Sequence, residues 1–142
     1  MKEVKNIITI DGPSGVGKGT LAFSLAEKLG WNVLDSGLIY RLTGYLSLKE
    51  KLNSPEDIIF HLNHSKIKLL TNLKEKICEI EIDEVVLGKE LRNEDVATKA
   101  SEIAKVPEIR KAIIKIQRNA YDAKSGLIAD GRDMGTVIFP EA

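Results

Sequence analysis

The sequence predicts an α/β fold: a parallel sheet flanked by helices, with a small antiparallel β insertion. Short apolar or β-branched runs at residues 6–10, 31–34 and 126–130 are separated by stretches of helical spacing. A strand, helix, strand series of this length is typical of a right-handed parallel crossover. Residues 66–90 change instead to a two-residue alternation, the period of half-buried antiparallel strands.

Each element has its own reason. Asn6-Ile7-Ile8-Thr9-Ile10 reads as a buried strand running into a turn at Asp11-Gly12. Lys18 to Leu29 reads as a helix, because Leu21, Leu25 and Leu29 recur on one side and Gly30 stops it. Trp31 to Leu34 is a second strand, and Gly37 to Leu52 reads as helix. Ser54-Pro55-Glu56-Asp57 is a helix start, with a cap, a proline at the first position and acids in the first turn. In the insertion, Ile67, Leu69 and Thr71 alternate with Lys66, Lys68 and Leu70. Ile77, Glu79, Glu81 and Asp83 alternate with Cys78, Ile80 and Ile82, and residues 72–75 make the connection. Helices return from Glu94 to Lys105 and from Glu108 to Ala123, separated by Pro107. In the second, Ile109, Ala112, Ile113 and Ile116 share a face, with Arg110, Lys111, Lys115 and Arg118 opposite. Gly126 to Asp130 is a third buried strand, ending in an acid.

The chain has 142 residues, the length of one ordinary domain. Three short parallel strands are few for this plan. The expectation is a single truncated domain, with residues 1–65 and 106–142 as its core and about 66–105 as an insertion. Apolar residues are 43% and charged residues 30%, which excludes wholesale disorder. The 21 basic and 21 acidic side chains balance, which argues against a nucleic-acid polymer or a membrane surface as partner. No apolar stretch approaches membrane-helix length, the start lacks a signal-peptide core, and the single Cys78 forms no internal disulfide. A cytoplasmic monomer is expected. Lysines outnumber arginines 16 to 5, so Arg41, Arg92, Arg110, Arg118 and Arg132 are candidates for two-pronged recognition of phosphate or carboxylate, or plain surface charge.

The strongest motif is Gly12-Pro13-Ser14-Gly15-Val16-Gly17-Lys18-Gly19-Thr20, which fits G-x-x-x-x-G-K between a strand and a helix. Glycines let successive N–H groups turn inward around phosphate oxygens, and the helix N-terminus adds positive potential. Lys18 can reach the outer phosphates. The plainer reading is a tight glycine turn. Gly19 replaces the usual hydroxyl after the lysine. A magnesium ion would then be held through water, with Asp130 as the outer-shell candidate or else a turn-forming acid.

The motif places the chain with the P-loop NTPase-type sheets, and its Gly-Lys-Gly-Thr ending resembles the nucleoside monophosphate kinases. Asp35-Ser36-Gly37-Leu38-Ile39-Tyr40-Arg41, Ser101 with Pro107-Glu108-Ile109-Arg110, and residues 130–140 narrow the resemblance to bacterial cytidylate kinases. That resemblance implies transfer of the γ-phosphoryl group of ATP, with Mg2+, to CMP or dCMP. It implies that Lys18, Arg41 and Arg132 are catalytic, the arginines clamping the acceptor phosphate. It implies that Asp133 accepts from the exocyclic amine of cytosine, where uracil offers a repelling carbonyl. Ser101 and Arg110 match base-contacting positions, and Ser36 and Tyr40 would line the acceptor site. It also implies that the β insertion binds the acceptor, and that a lid and further strands complete the domain. For single residues plainer readings stand beside these: Asp35-Ser36-Gly37 as a helix cap, Asp133 as a turn residue, Arg110 as solvated surface. Alternatives at the level of function are a kinase with another acceptor, a fragment that binds nucleotide without turnover, and a GTP switch, against which stands the lack of an Asn-Lys-x-Asp motif. His61 and His64 have no accompanying ligand cluster in the sequence and read as surface residues.

Overall fold

In the computed structural model the described residues are 6–12, 17–121 and 125–142, with Lys18 described through its backbone alone. The chain divides into two compact units. Unit 1 comprises residues 1–36, 70–78 and 117–142, and unit 2 comprises 37–69 and 79–116.

Unit 1 is built on a three-stranded parallel sheet of β1 (Ile7–Asp11), β2 (Asn32–Asp35) and β6 (Leu127–Gly131), in the order β1-β6-β2. The last strand in sequence is central, so it is enclosed on both sides and both faces. Leu127, Ile128 and Ala129 are accordingly buried without alternation. Helix α1 (Lys18–Leu29) packs on β6. Here the structure corrects the expected face: Ala22 and Ala26 are fully buried, whereas Leu21 and Leu29 are 50% and 45% exposed. The small side chains let the helix lie close to the sheet and leave Leu21 and Leu29 outward, with Leu25 half-buried. Gly30 ends α1 in the left-handed region (φ 70°), its N–H donating to the Ala26 carbonyl at 2.8 Å.

The outer edge of β2 is closed by side chains. Val33 donates its N–H to Thr71 Oγ1 at 2.9 Å, and its carbonyl accepts from Thr71 Oγ1 at 3.3 Å and Cys78 Sγ at 3.5 Å. A strand edge that could template aggregation is thereby satisfied at Val33.

Unit 2 holds the larger part of the helices. These are α2 (Ser36–Lys49, from Gly37 onward), α3 (Pro55–Asn63), α4 (Glu94–Ile103) and α5 (Pro107–Asn119, up to Ile116). Ser54 caps α3, accepting from the Asp57 N–H, and Asn93 caps α4, accepting from the Val96 N–H at 2.8 Å. α2, α4 and α5 are each shorter than their sequence patterns predicted. At α2 the Ser47–Leu52 pairing closes a turn in its place (Leu52 N–H to Ser47 O, 3.0 Å). Leu42, Leu91, Ile109 and Ile113 are essentially inaccessible to solvent, as the α5 pattern required. At Gly44 a Cβ would stand 2.6 Å from the Val96 carbonyl oxygen, so α2 and α4 touch through backbone there.

A second sheet has the order β3-β4-β5 (Ile67–Asn72, Ile77–Ile82, Val85–Leu87). Cys78, Ile80 and Ile82 are buried while Glu79 and Glu81 are half-buried, so the predicted alternation holds. β4 and β5 are antiparallel, with Ile82 opposite Val85. Their two-residue turn, Asp83-Glu84, has both φ values positive (48° and 71°), the twist that a tight hairpin needs.

Candidate active site

Parallel pairing aligns the strand ends of unit 1. Asp11 lies opposite Gly131, and Asp35 opposite Asp130. Gly12, Ser36 and Arg132 therefore leave the sheet at its carboxyl edge, where open parallel sheets bind ligands. Gly12 stays tied to that edge by its N–H, which donates to the Gly131 carbonyl at 3.4 Å.

Gly17 precedes α1 in the left-handed region (φ 88°, ψ 16°) and provides no side-chain cap. The first helical bond runs from the Leu21 N–H to the Gly17 carbonyl at 3.1 Å. The N–H groups of the first turn thus have no intrahelical acceptor, and the helix dipole adds positive potential there. Gly19 and Thr20 are exposed at this end. An anion is the natural ligand for such an end. Pro13, Ser14, Gly15 and Val16, and the side chain of Lys18, lie outside the described residues.

Asp130 lies within β6, in register with Ile10 and Asp35, and so is not a turn former. Ser36 is 9% exposed and stands against the following corner: a Cβ on Gly131 would meet Ser36 Cβ at 2.7 Å and Met134 Sδ at 2.9 Å. Arg132 and Asp133 are both exposed on that corner. Asp133 has φ 56° and opens a single π-type turn, Met134–Ile138, without spending its side chain on a cap. Unit 1 thus gathers the helix end, Ser36, Asp130, Arg132 and Asp133 around one edge.

Unit 2 carries the remaining candidates. Tyr40 and Arg41 are half-buried on α2, and Arg41 donates from Nη1 to the Leu91 carbonyl at 3.4 Å. Ser101 is exposed on α4, its Oγ donating to the Ala97 carbonyl at 3.1 Å. Arg110 is exposed on α5.

Two residues of unit 1 gain roles that sequence reading missed. Asp11, read only as a turn, accepts from the N–H groups of Met134 at 2.7 Å and Gly135 at 3.0 Å. Arg118, read with a basic outer face, donates to the Ile138 carbonyl, pairs with Glu141 at 3.0 Å and lies over the Phe139 ring. Neither partner is near in sequence, so no local spacing could have revealed them.

Among the described residues no group of three or more His, Cys, Asp or Glu side chains could hold a metal ion. His64 instead stacks on Phe60, with ring centroids 3.9 Å apart. A magnesium ion carried by phosphates asks less of the protein, one or two carboxylates with waters. Asp130, near the carboxyl edge in register with Ile10 and Asp35, suits that demand. No described helix is long and apolar enough to cross a membrane.

Comparison with known proteins bears on this arrangement. A family profile described as Cytidylate kinase matches residues 8–142. The cytidylate kinase of Pasteurella multocida is 43% identical over 138 residues, covering 97% of this chain and 60% of that protein. Those of Shewanella denitrificans and Shewanella oneidensis are each 40% identical over 144 aligned residues, covering 100% of this chain and 63% and 62% of theirs. The chain therefore spans about 60% of the length of these curated relatives. On the profile match and these identities together, the chain belongs to the cytidylate kinase family.

Proposed function

We propose that this protein transfers the γ-phosphoryl group of ATP to CMP and dCMP. The observation that carries the reading is the shared carboxyl edge of unit 1. There the N-terminal end of α1, which lacks a side-chain cap and suits an anion, and the Arg132–Asp133 corner follow neighbouring strands. Family membership supports the same chemistry.

The acceptor phosphate oxygen attacks the γ-phosphorus, the bond to the β–γ bridging oxygen breaks, and ADP leaves. The protein has little covalent work in such a transfer; it positions groups and neutralises charge. The loop Gly12 to Thr20 holds the donor phosphates, through backbone N–H groups beyond Pro13, which has none to donate, with Lys18 reaching the outer ones. Arg41 and Arg132 hold the acceptor phosphate by charge-assisted, two-pronged bonds. Asp133, an acceptor-only carboxylate, selects the cytosine amine. Ser101 and Arg110 contact the base, Ser36 and Tyr40 line the acceptor, and residues 66–105 contribute to its binding. Magnesium bound with ATP would neutralise phosphate charge, with Asp130 holding it through water. The enzyme acts as a cytoplasmic monomer.

The test is ATP-dependent phosphorylation of a monophosphate panel by this chain and by one extended to its relatives' length. CMP and dCMP should be the preferred acceptors. Preference for AMP or UMP, or tight guanine-nucleotide binding without transfer, contradicts the reading.

A further inference from the structure

The Arg132–Asp133 corner raises a question of what holds it in place. A helical turn begins with N–H groups that lack intrahelical acceptors, and the residue before it ordinarily caps them with its own side chain. Asp133 occupies that place before the Met134–Ile138 turn, yet makes no such bond. Asp11 supplies the cap instead, from a strand 123 residues earlier. Its two carboxylate oxygens accept from the Met134 N–H at 2.7 Å and the Gly135 N–H at 3.0 Å. The fit leaves little room: a Cβ on Gly135 would lie 3.0 Å from Thr9 Oγ1 and 3.5 Å from Asp11 Oδ2. The far end of the turn is secured separately, by Arg118 on the Ile138 carbonyl. Met134 between them is fully buried.

Asp11 is also the last residue of β1, directly before Gly12, where the glycine-rich loop begins. One carboxylate thus links the start of the donor loop to the acceptor corner. We propose that Asp11 is a positioning residue for acceptor selection: by capping the 134–138 turn in place of Asp133, it leaves the Asp133 carboxylate to read the base and fixes where that carboxylate stands. This rests on the function proposed above and assigns that site a further residue. Asp11 itself need touch no nucleotide.

Two variants test it. Asp11→Ala removes both acceptors. Asp11→Asn keeps the volume and one acceptor oxygen, while its amide faces an N–H with another donor, so its effect should be intermediate. The first readout is amide hydrogen exchange at Met134 and Gly135 in the nucleotide-free protein. Protection should fall about 10-fold or more in Asp11→Ala, as expected for loss of a charge-assisted bond. The second is steady-state kinetics. KM for CMP should rise about 10-fold and the preference for CMP over UMP should shrink by a similar factor, while KM for ATP changes less than about 3-fold. A uniform loss of folded protein would lower kcat for all acceptors alike and leave the preference intact. Unchanged protection at Met134 and Gly135, or lost protection with unchanged preference, overturns the proposal. If the wild-type chain extended to its relatives' length fails to phosphorylate CMP, the function reading itself is wrong, and the exchange data still report separately whether Asp11 caps the turn.

Discussion

Acidic residues stand at the ends of the parallel strands but along the length of β4 in the second sheet. In β1-β6-β2, Asp11, Asp35 and Asp130 cluster at the carboxyl edge, after strands that carry no other charge. In β4, Glu79 and Glu81 alternate with buried Cys78, Ile80 and Ile82, and Glu81 pairs with Lys68 on β3 at 3.8 Å. A central parallel strand has both faces covered and tolerates charge only where it ends. A half-covered antiparallel strand can carry charge along its open face, as β4 does. A carboxylate in the first sheet is therefore a candidate for chemistry, and one in the second is solvation.

This contrast predicts opposite mutational signatures. The largest effect belongs to the parallel edge: Arg132→Ala should reduce kcat for CMP by about 10³-fold, the scale of arginine removal in phosphoryl transfer. Its stability should stay within about 0.5 kcal/mol because the side chain is exposed. Wild-type turnover in this variant, measured on protein of unchanged thermal midpoint, breaks the comparison. In the antiparallel sheet, Ile80→Ala should cost about 3 kcal/mol by denaturant titration, since Ile80 is wholly buried. Asp133→Ala should lower the preference for CMP over UMP by about 10- to 100-fold, the worth of a bond to a charged acceptor. Glu84→Gly should stabilise by about 0.5 kcal/mol, because Glu84 holds φ 71° in the β4–β5 turn.

The smallest effect is a pH dependence in unit 2. The Gly88 N–H donates to the Glu90 carboxylate at 2.9 Å and holds its carboxyl below the usual range. A lowered folded pKa stabilises above the unfolded value, about 4.3, and that contribution is lost as pH falls through the folded value. Glu90→Gln should therefore lower stability slightly at neutral pH and flatten the acid limb, with the difference from wild type gone below the folded value.

The strands, the capped start of α3 and the start of α4 at Glu94 were legible because their signals are local: β-branched runs, and Ser54 three residues before the N–H it accepts. The face of α1 was not, because leucine is the stronger apolar signal, whereas the close approach of helix to sheet selects Ala22 and Ala26. At the candidate site, the residue types were legible from the glycine loop and the segment 130–140. The support beneath them was not. Asp11 and Arg118 act on partners 123 and 20 residues away, and only folding brings those carbonyl and N–H groups to them.

The most direct measurement is kcat/KM for CMP, dCMP, UMP and AMP with ATP, using the chain extended to its relatives' length, wild type beside Asp133→Ala. A strong cytosine preference that collapses on removal of the Asp133 carboxylate is the predicted result. Equal use of UMP by the wild type, or a preference that survives the substitution, contradicts the assignment of base selection to this corner.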